Sequence, residues 1–104
     1  MDTDNIIEHA RVRFEHAVAK RTLAEKYQGK LIFAYAGGMW QAGPELINIL
    51  TASLTHGQQG LVLLDLYGTP IMVDYKKLLE LAQERWQEQM NAWLVEYNEL
   101  NKKR

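Results

Sequence analysis

The chain has 104 residues, no cysteine and a formal net charge of −1 from 12 basic and 13 acidic side chains. This length predicts a single domain over residues 1–104, and the lack of cysteine excludes disulfides and thiolate metal sites. Nucleic-acid binding is not expected, because it normally requires clustered cations and only two short clusters occur, Lys76–Lys77 and Lys102–Arg104.

Residues 4–27 predict the first helix, because apolar side chains recur there at steps of three and four. The members of this stripe are Ile7, Ala10, Phe14, Ala17, Val18, Ala24 and Tyr27. Asp4 is the expected N-cap, since its carboxylate can accept from free amides of the first turn. Gly29 is the expected end of the helix.

The next segment, residues 30–42, favours a β-hairpin. It is rich in aromatic and β-branched residues, and Gly37–Gly38 can supply the positive φ angles of a tight turn. Pro44 then suits the first turn of a second helix, where its missing N–H costs nothing. We expect that helix to end near His56–Gly57.

A similar unit follows. The run Leu61–Leu66 is almost wholly apolar and is predicted to be the most buried strand. Tyr67–Gly68 is the expected turn, and Pro70 in the returning strand indicates an edge position because proline cannot donate to a ladder. Asp74 is the predicted N-cap of the last helix.

The last helix is predicted to reach Lys103 and to carry a heptad-like apolar stripe, formed by Leu79, Ala82, Trp86, Met90, Trp93, Tyr97 and Leu100. The predicted class is α+β in the order α-β-β-α-β-β-α. It comprises two hairpin-helix units with antiparallel strands and a long C-terminal helix. A helix of roughly 42 Å exceeds what so small a domain can easily cover, so either the first helix or another chain must pack along it.

The aromatic part of that stripe is the candidate partner-binding site. Its residues are Trp86, Met90, Trp93, Tyr97 and Leu100. Indoles seven residues apart on one helix are typical of core or helix-helix contacts, but tryptophan and tyrosine also dominate protein interfaces. The two interpretations coincide if the stripe packs on a second chain, which predicts a homo-oligomer.

No catalytic or metal site is predicted, and no cofactor is expected. His9 and His16 are seven residues apart, too far for the joint chelation that zinc pairs on helices achieve at shorter spacing. Asp65, alone in an apolar strand, is either a general base or metal ligand, or a structural residue that faces solvent or bonds the following turn; the structural interpretation is favoured. The glycines lack phosphate-loop spacing, and Ser53 lacks the context of a nucleophile.

The order of these features resembles a small uncharacterised domain of bacteriophage tail and tail-fibre-assembly proteins. The features are a basic helix, the strand Phe33–Tyr35 with its glycine turn, Trp40 before a short helix, the segment Gly68–Val73, and a helix with Leu78–Gln83 and a late Tyr97. The resemblance covers roughly residues 11–101. It implies a structural or assembly factor that binds a tail or fibre polypeptide, or resides in the virion, and catalyses nothing.

The functional expectation is therefore a non-enzymatic interaction domain, a tail or tail-fibre assembly factor or a virion component. Its partner would be a second copy of the chain or a phage structural protein. The alternative is a small phage regulator or inhibitor that binds a host protein or nucleic acid. No leader or membrane-spanning run is visible, so we expect the protein in the host cytoplasm or the virion.

Overall fold

The computed structural model describes the backbone of residues 3–102 and the side chains of residues 5–102. The elements are α1 (Thr3–Lys30), β1 (Ile32–Tyr35), β2 (Gly38–Gln41), α2 (Pro44–Thr55), β3 (Gly60–Leu64), β4 (Pro70–Asp74) and α3 (Tyr75–Lys102). The predicted α+β class and element order are confirmed. The predicted cap at Asp4 concerns a side chain outside the described residues.

The first helix runs past the residue that was expected to end it. Gly29 is helical, and the helix ends only at Lys30, where the Leu31 N–H still donates to the Tyr27 carbonyl at 3.1 Å. The predicted stop at Gly29 is therefore wrong. A glycine ends a helix by adopting a positive φ, and Gly29 is not among the glycines that do so.

In the first hairpin, β1 pairs antiparallel with β2 and places Phe33 opposite Trp40. The tight turn uses Ala36 (φ 53°) and Gly37 (φ 84°), one residue earlier than predicted. Gly38 is instead the first residue of β2. A Cβ at this position would force the end of the Ile71 side chain to move and would lie 3.2 Å from Asp65, so the close approach of the two hairpins favours glycine.

In the second hairpin, β3 pairs antiparallel with β4, and Gly68 provides the positive φ (79°) of the turn. Pro70 opens β4 in a two-stranded sheet, which agrees with its predicted edge position. The Asp74 carboxylate accepts from the Lys76 N–H at 3.1 Å and the Lys77 N–H at 3.4 Å. It therefore caps α3 as predicted.

The hydrophobic core lies where both hairpins and α2 meet the first turns of α3. Leu50 and Leu78 are fully buried there, and the inner face of the second hairpin contributes Val73. The prediction that Leu61–Leu66 forms the most buried strand is wrong. Only one face of β3 meets the core, and nothing in the described part of the chain covers the other.

The molecule is elongated, with principal extents of 66 × 23 × 21 Å. Residues 31–90 form a head around the core. Residues 16–30 of α1 and 91–102 of α3 form a two-helix stalk, in which Lys26 bonds Glu96 at 2.7 Å. Residues 3–15 continue α1 beyond the stalk, and we call them the arm. The first helix thus packs along part of α3, one of the two arrangements expected from the sequence.

Candidate protein-docking face

The side of α3 that carries the predicted stripe borders an apolar groove of about 620 Å³ at the junction of head and stalk. Trp86, Met90 and Trp93 line one wall of this groove. The lining also includes residues of the first half of α2, the end of β3 and the segment just after it, among them Leu46, Ile49, Leu64 and Leu66. Three of the five predicted partner-binding residues therefore lie together.

The two indoles are half-buried, and each has an intramolecular neighbour. Trp86 packs against the core together with Met90. Trp93 stacks on Tyr27 of α1, with ring centroids 5.7 Å apart and an interplanar angle of 8°. The stripe is thus partly a helix-helix contact within the chain and partly a groove wall.

The other two predicted residues, Tyr97 and Leu100, are not brought to the groove. They lie further along α3 in the stalk and are half-buried. Seven residues separate Met90 from Tyr97, which is about 10 Å along a helix. Their role as partner-binding residues remains a prediction.

A small hydrogen-bond network connects α1 to α3 beside Trp93. The Glu96 carboxylate accepts from Lys26 Nζ at 2.7 Å and from the Tyr27 hydroxyl at 2.8 Å. The hydrogen bond from Lys26, and then that from Tyr27, lowers the pKa of Glu96. Burial, and then the hydrogen bond to Glu96, raises the pKa of Tyr27. Together with the Tyr27–Trp93 stack, these contacts connect α1 to the part of α3 that lines the groove.

Asp65 joins the two hairpins. Its Oδ1 accepts from the Tyr67 and Thr69 N–H groups at 2.9 Å each, and its Oδ2 accepts from the Met39 N–H at 3.1 Å. The backbone donors of Thr69 and Met39, followed by that of Tyr67, lower the pKa of the Asp65 carboxyl. The predicted structural role, bonding the following turn, is confirmed, and the carboxylate also reaches across to β2.

The outer face of the second hairpin is apolar and open. Val62 lies opposite Met72 in the ladder, and Leu64 lies on the same face. Leu64 is 66% exposed and Met72 is 78% exposed. Leu64 also lines the groove, so the groove and this outer face form one continuous surface. We call this surface, from Trp93 across Leu64 to Met72, the docking face.

The central part of the sequence carries acidic side chains but no lysine or arginine. From Leu31 to Tyr75 the sequence contains no lysine or arginine, and its carboxylates are Glu45, Asp65 and Asp74. Glu45 and Asp65 line the groove, and the Asp65 oxygens are already engaged by backbone donors. The groove is therefore apolar with Glu45 at an acidic border, whereas Lys26 and Lys30 lie beside Tyr27, on which Trp93 stacks.

In the part of the chain that the structure describes, titratable groups do not converge into a metal site. Among the described residues, no three or more His, Asp or Glu side chains are grouped as a metal ion would need. Nε2 of His16 is buried in the stalk without a hydrogen-bond partner among the described residues. His56 lies just past the end of α2, and the N–H of the next residue, Gly57, donates to the Leu54 carbonyl at 3.0 Å.

Sequence reasoning placed Trp86, Met90 and Trp93 on one stripe of α3, where they line the groove, but it did not predict the exposed outer face of the second hairpin. An uninterrupted apolar run such as Leu61–Leu66 predicts a strand buried on both faces. Met72, which is also apolar, did not indicate that one face of this hairpin is exposed. The distribution of cations was a usable signal, since the interval between Lys30 and Lys76 can be read directly from the sequence.

Comparison with protein-family models, with curated proteins and with solved structures finds no match to this chain. The resemblance to a phage tail domain therefore stays a prediction. Within residues 3–102, no helix combines the length and apolar composition that crossing a bilayer would require.

Proposed function

We propose that this chain is a non-enzymatic protein-interaction domain whose head binds an apolar, basic segment of another polypeptide. The observation that carries the proposal is the docking face, which joins half-buried indoles to strongly exposed Leu64 and Met72. Contiguous exposed apolar surfaces of this kind mark interaction sites on soluble proteins.

The composition of the face suits a protein partner. Trp86 and Trp93 offer the aromatic contact area that dominates interface energetics, and burial of one large apolar side chain contributes about 1.5–3 kcal/mol. The acidic border formed by Glu45 favours lysine or arginine in the partner, since complementary charge guides association and register. A suitable partner segment would thus place large apolar side chains next to cations.

A nucleic acid does not suit the same face. Phosphate binding depends on lysine and arginine, and the interval Leu31–Tyr75 has neither. On the long helices the cations alternate with carboxylates, and some are paired, as in Arg11 with Glu8 at 2.6 Å and Lys102 with Glu99 at 3.3 Å. A regulator that binds a host protein would use the same docking face as an assembly factor.

The proposal extends to the biological class that the sequence resemblance implies. The partner would be a tail or tail-fibre polypeptide of a bacteriophage, bound during assembly in the host cytoplasm or retained in the virion. The support for this class is the order of features over residues 11–101, and the docking face supplies a surface on which such a polypeptide could be held.

Co-expression tests the proposal. The full chain would be produced with each tail and tail-fibre polypeptide of the same genome in turn, and co-purification and soluble yield would be measured. Leu64→Asp places a carboxylate in the docking face. Leu94→Asp is the matched control, because Leu94 is an exposed leucine of the stalk, 58% exposed and away from the groove.

We expect one polypeptide to co-purify with the wild type and with Leu94→Asp, and its recovery to fall at least tenfold with Leu64→Asp. Circular dichroism would establish that both variants fold. If equal amounts of the polypeptide co-purify with both variants, the docking face is not the binding surface. Recovery of none of the tail polypeptides would remove the phage-assembly partner.

A further inference from the structure

The arm is the second apolar surface of the molecule. Every described side chain from Asn5 to Glu15 is exposed, including Phe14 (69%) and Ile7 (61%). Because Trp93 lies beside Tyr27 and Glu96 beside Lys26, α3 runs antiparallel to α1. Continued at 1.5 Å per residue, this pairing brings the last described residues of α3 to roughly residues 18–20 of α1, so the arm extends past them.

The apolar side chains of the arm do not continue the face that packs on α3. Ile7 and Phe14 are seven residues apart and share one side of the helix. Tyr27 follows Phe14 by thirteen residues, which at 3.6 residues per turn is about 140° around the axis. The sequence stripe from Ile7 to Tyr27 therefore divides, and its first half faces away from the stalk.

The arm lacks the packing that stabilises most helices. It continues α1, which is already helical through the stalk, but most helical stability in proteins comes from packing an apolar face. The arm has no packed face in the described chain, although its sequence includes the β-branched residues Ile6, Ile7 and Val12, which favour helix only weakly.

We propose that the arm of one copy of this chain docks on the docking face of a second copy. This inference rests on the proposed function and names one occupant of the same face. The arm offers large exposed apolar side chains together with Arg13, while Arg11 is already paired with Glu8 and Glu15. The described lining of the groove is apolar and includes Glu45 but no lysine or arginine, so it can accept both the apolar side chains and one guanidinium group.

Charge does not by itself decide between this contact and the pairing of one arm with another. If two arms met antiparallel through Ile7 and Phe14, Arg13 of each copy would lie opposite Glu8 of the other. Docking on the head instead covers the exposed side chains of Leu64 and Met72, which arm-to-arm pairing leaves in water. Two reciprocal arm-to-head contacts close into a symmetric dimer, whereas non-reciprocal contacts would produce a chain of copies.

The test is a mixing experiment with two full-length variants, measured by light scattering coupled to size exclusion. Phe14→Asp disables the arm, and Leu64→Asp disables the head. At about 100 μM, where micromolar self-association is evident, we expect the wild type at twice the 12.0 kDa mass of one chain or more. Each variant alone should be a monomer, and their equimolar mixture should contain a dimer with one copy of each.

The mixture separates the possible arrangements. In the mixture, the intact arm of Leu64→Asp meets the intact head of Phe14→Asp, so complementation occurs only for an arm-to-head contact. A Leu64→Asp variant that remains dimeric alone would indicate arm-to-arm pairing and overturn the inference. A Phe14→Asp variant that remains dimeric would indicate head-to-head pairing and do the same. A monomeric wild type also overturns it.

Disulfide trapping gives a second readout, since the chain contains no cysteine. When the Arg13→Cys and Glu45→Cys proteins are mixed under air, with oxygen as the oxidant, they should form the mixed disulfide in preference to either homodisulfide. A monomeric wild type that still binds a tail polypeptide through Leu64 would reject self-docking and keep the proposed function. If the mixed dimer forms but no tail polypeptide co-purifies in the co-expression experiment, the phage-assembly partner is rejected and self-docking is kept.

Discussion

The phenol ring of Tyr27 lies parallel to the indole of Trp93, with centroids 5.7 Å apart and 8° between the ring planes. One ring belongs to the helix that bears the arm, and the other lines the groove. This stack therefore connects the helix that bears the arm to a wall of the docking face. Substitution of either ring should alter both the position of the arm and the shape of the groove.

Replacing Trp93 by alanine should loosen this junction. The substitution removes a half-buried indole and an aromatic pair, so we expect the free energy of unfolding to fall by about 2 kcal/mol. Trp93→Phe keeps a ring against Tyr27 and should retain more than half of that stability. Urea denaturation followed by circular dichroism measures both, and equal midpoints for Trp93→Ala and wild type would contradict the assigned packing.

Two glycine-to-alanine substitutions should act in opposite directions. Gly38→Ala places a Cβ against the Ile71 side chain and beside Asp65 at 3.2 Å, so we expect a loss of about 1–3 kcal/mol from overpacking. Gly29→Ala meets no atom within 4 Å in a helical position and should add about 0.5–1 kcal/mol. Thermal melts of the two variants provide the comparison, and a stabilised Gly38→Ala would be inconsistent with the contact between the hairpins.

The contribution of Asp65 should depend on pH. Its backbone donors lower the pKa of the folded carboxyl, so the stabilisation is present above the unfolded pKa of about 4 and is lost as the pH falls through the folded value. Asp65→Asn should melt below the wild type at pH 7, because the amide has one acceptor oxygen for three N–H groups.

The melting-temperature gap between wild type and Asp65→Asn should then narrow as the pH is lowered from about 5 to 2. Glu96, whose pKa is also lowered by its partners, is present in both proteins, so its titration cancels in the difference. A gap that is constant across this pH range would show that the charge of Asp65 is not what joins the hairpins.

The two faces of the head should respond differently to substitution. Leu78 is fully buried, and Leu78→Ala should cost about 2–5 kcal/mol. Met72 is exposed on the outer face of the second hairpin, so Met72→Gln in the monomeric Phe14→Asp background should change stability by less than about 0.5 kcal/mol. A large loss from Met72→Gln in that background would mean that the outer face is covered within the monomer.

Local signals predicted the element order and several element boundaries. Pro44, Asp74 and Gly68 each act through backbone chemistry that depends on near neighbours, and the structure uses each as the sequence indicated. Gly29 misled because glycine is tolerated inside a helix, and nothing local distinguishes that use from a terminus. The turn of the first hairpin moved by one residue because Ala36 accepts a positive φ.

Burial depends on which elements lie over which, so it was harder to predict. The run Leu61–Leu66 has the composition of a core strand, but it belongs to a two-stranded ribbon with one open face. Similarly, the spacing from Trp86 to Leu100 placed five residues on one stripe, whereas the groove reaches only as far as Trp93. The burial of this strand and the extent of the groove along α3 were both determined by tertiary arrangement rather than by sequence periodicity.

The interval without lysine or arginine also determines how the protein can be handled. Trypsin cuts after these residues, so even complete digestion leaves the piece from Leu31 to Lys76 intact, with both hairpins and α2 on it. Among the described residues, the side-chain amines of lysine lie on α1 and α3, and none lies on the hairpins or on α2. Attachment to an amine-reactive sensor chip through these side chains would therefore leave the hairpins themselves unmodified.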